Sequence, residues 1–115
     1  MNQPSRADRF VLPEGERKLS YERDTKVENA GTFVLQREDH TIGNLLRMEL
    51  HKNPDVVFAG YKNPHPTDHR IVLKVHTNAN TTPVQALRDA VTNLRAEVGD
   101  LSQQFADEIN ALRRE

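Results

Sequence analysis

Five histidines and seventeen carboxylates are the side chains from which this chain could build a proton-transfer or metal site. It has no cysteine, so disulfides and thiolate ligands are excluded. His65 and His69 stand four apart, but Pro66 lies between them in a Pro64-His65-Pro66 loop. No carboxylate completes a ligand set there, and no H-E-x-x-H occurs. Glu38 and Asp39 are adjacent, so on an extended strand they point to opposite faces and cannot share a proton. Capping the next helix suits Asp39 better than general acid or base work. His40 with Thr41 and Ser20 has the residue types of a nucleophile and base, yet no strand-turn-helix elbow frames a serine. The glycines are scattered, giving neither a phosphate loop nor a dinucleotide fingerprint. No catalysis by this chain and no cofactor are expected.

One stretch is not explained by stability alone. Glu38-Asp39-His40-Thr41-Ile42-Gly43-Asn44-Leu45 puts a glycine and an asparagine into a first helical turn, where both are poor helix formers. Helix N-termini tolerate such residues. Alternatively, another backbone approaches closely over Gly43, with His40 and Asn44 as polar contacts at a protein interface. Local chemistry leaves both readings open.

The elements that must hold this stretch are legible from periodicity. The most prominent is Thr82 to Glu115, with apolar residues at Val84, Leu87, Val91, Leu94, Val98, Leu101, Phe105 and Leu112 in steps of three and four. Such a pattern is a coiled-coil seam, broken where Glu108 takes an apolar place. Thr82 as N-cap, Pro83 at the first helical position and Gln85 three residues after the cap make a capping box. The helix would be roughly 48 Å long, against about 35 Å across for a compact globule of this length. Part of the seam must overhang, and an overhanging apolar stripe needs a partner. Gly99 lies off the seam, costs about 1 kcal/mol relative to alanine and is read as a tolerated bend.

Upstream, Met1 to Asp8 reads as a flexible tail, and Phe10-Val11-Leu12 as a short patch that could anchor it. Lys18 to Glu22 alternates with Leu19 and Tyr21 on one face, as a half-buried edge strand does, Thr32 to Gln36 continues the alternation with Phe33 and Leu35 inward, and the two suit a hairpin. From Thr41 to Asn53 the period becomes helical through Ile42, Leu45, Leu46 and Leu50, with Glu49 at the edge of that face. Asp39 or Thr41 caps the start, and Pro54 ends it. Val56 to Tyr61 is a nearly continuous apolar run and reads as a central strand. Lys62 to Asp68 is a loop, and His69 to His76 alternates with Ile71, Leu73 and Val75 inward. The expected fold is α+β, in the order β-β-α-β-β-α. A four-stranded, mainly antiparallel sheet carries both helices on one face, and the long C-terminal helix overhangs. The side of the helix pair away from the sheet is the natural docking surface.

Composition narrows the class. Residues 1–115 make one domain with one modest core. Lys and Arg total 16 against 17 Asp and Glu. Neither sign forms a long block, which disfavours direct binding of nucleic acid. Apolar runs fall far short of a membrane span of about 20 residues, and Met1 to Arg9 has no apolar signal core. A soluble intracellular protein is expected.

Asp39-His40-Thr41-Ile42-Gly43-Asn44-Leu45-Leu46-Arg47 resembles the signature of the alpha-like subunits of cellular RNA polymerases. Phe58-Ala59-Gly60-Tyr61-Lys62 with Pro64-His65-Pro66 is similar to the smaller alpha-like subunits of eukaryotes and archaea, which lack the inserted second domain of the bacterial alpha subunit. Asp8-Arg9-Phe10, Glu14-Gly15-Glu16, Asp24-Thr25-Lys26, Asn29-Ala30 and Ala59 are similar to the RNA polymerase II version. Lys52-Asn53-Pro54-Asp55-Val56 is closer to the version shared by polymerases I and III. The resemblance is weakest from Ala86 onward, and Ile42 replaces the commoner leucine.

The resemblance implies an alpha-subunit dimerisation-like fold and a nuclear, non-catalytic assembly subunit. Its heterodimer with the larger alpha-like RNA polymerase II subunit would be the platform for the two large catalytic subunits. It implies a dimer interface of Ile42, Leu45, Leu46 and Leu50 on the first helix and Leu87, Val91, Leu94, Val98, Leu101 and Phe105 on the second. His40, Thr41, Gly43, Asn44 and Arg47 would contact a large subunit, with Arg47 needed to recruit the second-largest. The competing readings are the version shared by polymerases I and III and a stand-alone homodimeric coiled-coil adaptor.

Overall fold

The computed structural model describes residues 11, 12 and 14–114. The expectation of a flexible tail over 1–8, Phe10 of the proposed anchor and the final Glu115 lie outside these. Within them, Val11 is exposed and Leu12 half-buried. The elements are β1 (Leu19–Arg23), β2 (Ala30–Gln36), α1 (His40–His51), β3 (Val56–Lys62), β4 (Arg70–Thr77) and α2 (Pro83–Arg113). All strand pairs are antiparallel, in the spatial order β1-β2-β4-β3.

β1 and β2 form the expected hairpin, with Leu19 opposite Leu35 and Tyr21 opposite Phe33. In its turn Asp24 Oδ1 accepts from the N–H groups of Lys26 and Val27 at 2.8 and 3.2 Å. These bonds favour the ionised carboxyl and hold it below its ordinary value. Asn29 closes the turn at φ 59°, a left-handed conformation that asparagine tolerates.

Residues 56–61 form an edge strand, not the central strand that their apolar run suggested, because β4 pairs between β2 and β3. Apolar residues on both faces do not require a strand on both sides. α1 lies against β3 on one face, and on the remaining surface Val57 and Phe58 stay 63% and 49% exposed. The register shifts between Val56 and Phe58, a bulge at Val57.

The inward face of the sheet presents Phe33, Ala59, Leu73 and Val75 to Leu46 and Leu50 of α1 and to Ala86, Leu87 and Ala90 of α2. Both helices therefore cover one face. Each large aliphatic side chain buried here stabilises the fold by about 1.5–3 kcal/mol. Glu49, expected at the edge of the α1 face, is only 6% exposed, and its charge is met by Lys52 Nζ at 3.1 Å. The join into α2 is fixed by polar bonds: Asn78 and Asn80 donate from Nδ2 to Asp55 Oδ1 at 3.0 and 3.3 Å.

α2 starts as its sequence dictates, with Pro83 in the first turn and Thr82 Oγ1 accepting from the Gln85 N–H at 3.2 Å. The Gln85 side chain instead donates to Asp89 Oδ1 at 2.8 Å, so it does not act as the returning half of the capping box. The helix runs unbroken through Gly99 for 31 residues, about 46 Å. The single seam read from sequence divides in two. The stripe that the domain covers is Pro83, Ala86, Leu87 and Ala90, with Leu94 partly buried. Alanines 86 and 90 were missed because they are small and lie off the seam. They lie in the same buried cluster as Leu46 and Leu50 of α1.

Candidate protein interface

α1 begins where Asp39 leaves the extended conformation, its Oδ1 accepting from the Thr41 N–H at 2.9 Å. The space above Gly43 is filled from within the chain. The ring of Tyr61, on β3, lies where a side chain at 43 would stand, with Cδ2 2.6 Å from an ideal Cβ. His40 Nδ1 and Tyr61 Oη are 3.1 Å apart, and the two rings meet edge to face at 5.5 Å. The reading of a partner backbone over Gly43 is thereby corrected. Glycine is needed because this chain's own tyrosine packs on the first turn, and the buried Gly43 offers little surface to a large subunit.

The other residues assigned to a large-subunit contact do have surface. His40 and Thr41 are exposed, and Asn44 and Arg47 are half-buried. Arg47 Nη2 donates to Asn44 Oδ1 at 2.6 Å, which orients the guanidinium along the helix. Asn44 Nδ2 in turn lies 3.7 Å from Met48 Sδ.

The residues assigned to the dimer interface fall into two groups. Leu46, Leu50 and Leu87 are at most 6% exposed and belong to the chain's own core, which leaves them little surface for a second chain. Ile42 and Leu94 are partly buried against that core. Leu45, Val91, Val98, Leu101 and Phe105 are exposed. Sequence reasoning missed Met48, which is exposed three residues after Leu45 and so on the same side of α1. That spacing was the available signal.

Along α2 the exposed apolar residues make a continuous row. Val84, Val91, Val98, Phe105 and Leu112 recur every seventh residue and all are exposed. The row between them is released progressively: Leu87 is 6% exposed, Leu94 partly buried and Leu101 67% exposed. Every residue from 95 to 108 is exposed, about 20 Å of helix with no support from its own domain. Where apolar cover ends, Lys52 Nζ joins Glu49 Oε2 at 3.1 Å and Glu97 Oε1 at 3.0 Å. Glu97, then Glu49, raise the lysine above its ordinary value. This exposed bridge adds little stability.

A contiguous exposed apolar row of this kind is typical of surfaces that pair with another chain. Among the described residues no group of three or more His, Asp or Glu side chains is placed to hold a metal ion, and no helix is long and apolar enough to cross a membrane.

Comparison with known proteins agrees with this geometry. Residues 30–104, from the start of β2 into the overhang of α2, match the family described as the RNA polymerase Rpb3/Rpb11 dimerisation domain. The DNA-directed RNA polymerase II subunit rpb11 of Dictyostelium discoideum is 42% identical over 113 residues, 98% of this chain and 94% of that protein. The probable DNA-directed RNA polymerase II subunit RPB11 of Caenorhabditis elegans is 50% identical over 102 residues, 89% of this chain and 80% of the relative. The subunit of the same name from Schizosaccharomyces pombe is 39% identical over 94% of this chain and 87% of its own length. In three dimensions the chain is similar to DNA-directed RNA polymerase subunit L of Thermoplasma acidophilum, with a TM-score of 0.68 at 25% identity, covering 86% of this chain and 97% of the other.

Proposed function

The chain belongs to the family of the RNA polymerase Rpb3/Rpb11 dimerisation domain, and from that premise we propose that it is a non-catalytic assembly subunit of nuclear RNA polymerase II. It pairs with the larger, Rpb3-like subunit through the exposed sides of α1 and α2, and the pair is the platform for the two large catalytic subunits. The observation that carries this reading is the exposed apolar surface of Val91, Val98, Leu101, Phe105 and Leu112 on a helix that overruns its own domain. Leu45 and Met48 extend the apolar surface on α1. Leu46, Leu50 and Leu87 support it from behind as core residues.

On this reading His40, Thr41, Asn44 and Arg47 meet the second-largest subunit, while Gly43 holds their turn against Tyr61. Co-expression with the larger alpha-like subunit should give a stable 1:1 complex, and the chain alone should aggregate or self-associate weakly. A monodisperse, folded monomer at micromolar concentration contradicts the proposal. A well-behaved homodimer indifferent to the larger subunit favours the coiled-coil adaptor instead.

A further inference from the structure

The two edges of the sheet are built differently. β1, of sequence Leu-Ser-Tyr-Glu-Arg, carries Glu22 and Arg23 and follows Lys18. Charges of this kind keep an edge from pairing with other chains. β3, of sequence Val-Val-Phe-Ala-Gly-Tyr-Lys, has no charge until Lys62 at its end. Among the described residues only β4 pairs with it. An apolar edge strand whose Val57 and Phe58 remain exposed is a template for a further strand.

The surface beside this edge is also shaped and charged. On the sheet face away from the helices, the ring of Phe58 lies over Gly60, its Cζ 3.0 Å from where a Cβ at 60 would stand. A cleft of about 490 Å³ lies there, lined by Phe58, Gly60, Val72 and Thr32 with Lys62 and Lys74. Both lysines are exposed. Gly60 is opposite Lys74, and Lys62 opposite Val72, so both ammonium groups flank the apolar floor and no carboxylate lines it.

We propose that β3 is a strand-addition site for an extended acidic segment of a partner protein, one apolar side chain of which seats in the cleft beside Phe58. Backbone hydrogen bonds to β3 provide the pairing, the cleft selects an apolar side chain, and Lys62 and Lys74 select Asp or Glu next to it. The site is separate from the apolar row of α2 and does not depend on the dimerisation reading.

The test uses the full chain as a soluble fusion, so that it stands whether or not the heterodimer forms. Three synthetic peptides of about twelve residues, the length of an ordinary edge strand with flanks, serve as probes. The first alternates Val with Asp around a central Leu, the second replaces Asp with Lys, and the third is the acidic peptide with alternate backbone nitrogens methylated. The acidic peptide should shift the amide resonances of Val57 to Lys62, and the other two should not. Lys62→Glu with Lys74→Glu should weaken it by about tenfold or more, with unchanged circular dichroism because both side chains are exposed. The proposal is overturned if the acidic peptide leaves β3 unshifted, if the lysine or methylated peptide binds equally well, or if a single-stranded oligonucleotide occupies the cleft in preference. Self-association through β3 that excludes the peptide overturns it as well.

Discussion

Tyr61 on β3 occupies the space that any side chain at Gly43 on α1 would need, with ring atoms 2.6 to 3.0 Å from an ideal Cβ. Two effects oppose each other in Gly43→Ala. Overpacking against the ring costs about 1–3 kcal/mol, and removing a helical glycine returns about 1 kcal/mol. The net result in the wild-type background should be a loss of about 1 kcal/mol. In a Tyr61→Ala background the clash is gone and Gly43→Ala should stabilise. Urea midpoints of the wild type and the three variants measure this reversal of sign. A stabilising Gly43→Ala in the presence of Tyr61 would show that the ring is free to move away.

Arg47 is held along α1 by Asn44, at 2.6 Å, and is half-buried without entering the core. Arg47→Ala should therefore leave affinity for the larger alpha-like subunit within about twofold, since side chains outside an interface contribute little to it. Recruitment of the second-largest subunit should fall clearly. Pull-downs with each partner separate the two effects. Loss of heterodimer with intact recruitment would reverse the assignment of the faces of α1.

Asp55 accepts from Asn78 and Asn80, and these bonds hold its carboxyl below the ordinary value. A depressed folded-state value means that the stabilisation is present above the unfolded value, about pH 4, and is lost as pH falls through the folded one. Asp55→Asn should lower the thermal midpoint at pH 7, and the gap from the wild type should narrow as pH falls below about 4. A gap that is constant with pH would mean that the charge on Asp55 contributes nothing. Lys52 behaves in the opposite sense: its raised value contributes below about pH 10.4 and is lost as pH rises further.

The parts of the fold that were legible in sequence are those set by local chemistry. Thr82 and Pro83 mark the start of α2, Asp39 caps α1, and the alternation of Ile71, Leu73 and Val75 marks the buried face of β4. What was not legible depends on tertiary neighbours. The run from Val56 to Tyr61 states that β3 is apolar on both faces, but which strand lies beside it is decided by the β2–β4 pairing. Ala86 and Ala90 are too small to register in a seam, although both are buried in the core cluster with Leu46 and Leu50 of α1. At Gly43 the anomaly was visible, yet its partner was eighteen residues away on another element. Within the candidate interface, periodicity found the row on α2 but could not separate Leu87, in the core, from Leu101, outside it.

The central claim is that the overrun of α2 is a surface for another chain, and Leu94 and Phe105 separate it from its alternatives. Leu94 packs partly against the core, whereas Phe105 is 68% exposed. The measurement is the thermal midpoint of the free chain, as a soluble fusion, and the dissociation constant for the larger alpha-like subunit, for Leu94→Ala and Phe105→Ala. Leu94→Ala should lower the midpoint by the equivalent of about 2 kcal/mol, the low end for a buried leucine, and weaken the complex as well. Phe105→Ala should leave the midpoint unchanged within about 0.5 kcal/mol and weaken the complex by about 2 kcal/mol or more, as a central apolar anchor does. If Phe105→Ala destabilises the free chain as much as Leu94→Ala does, the end of α2 folds back on its own domain and the overhang is not an interface.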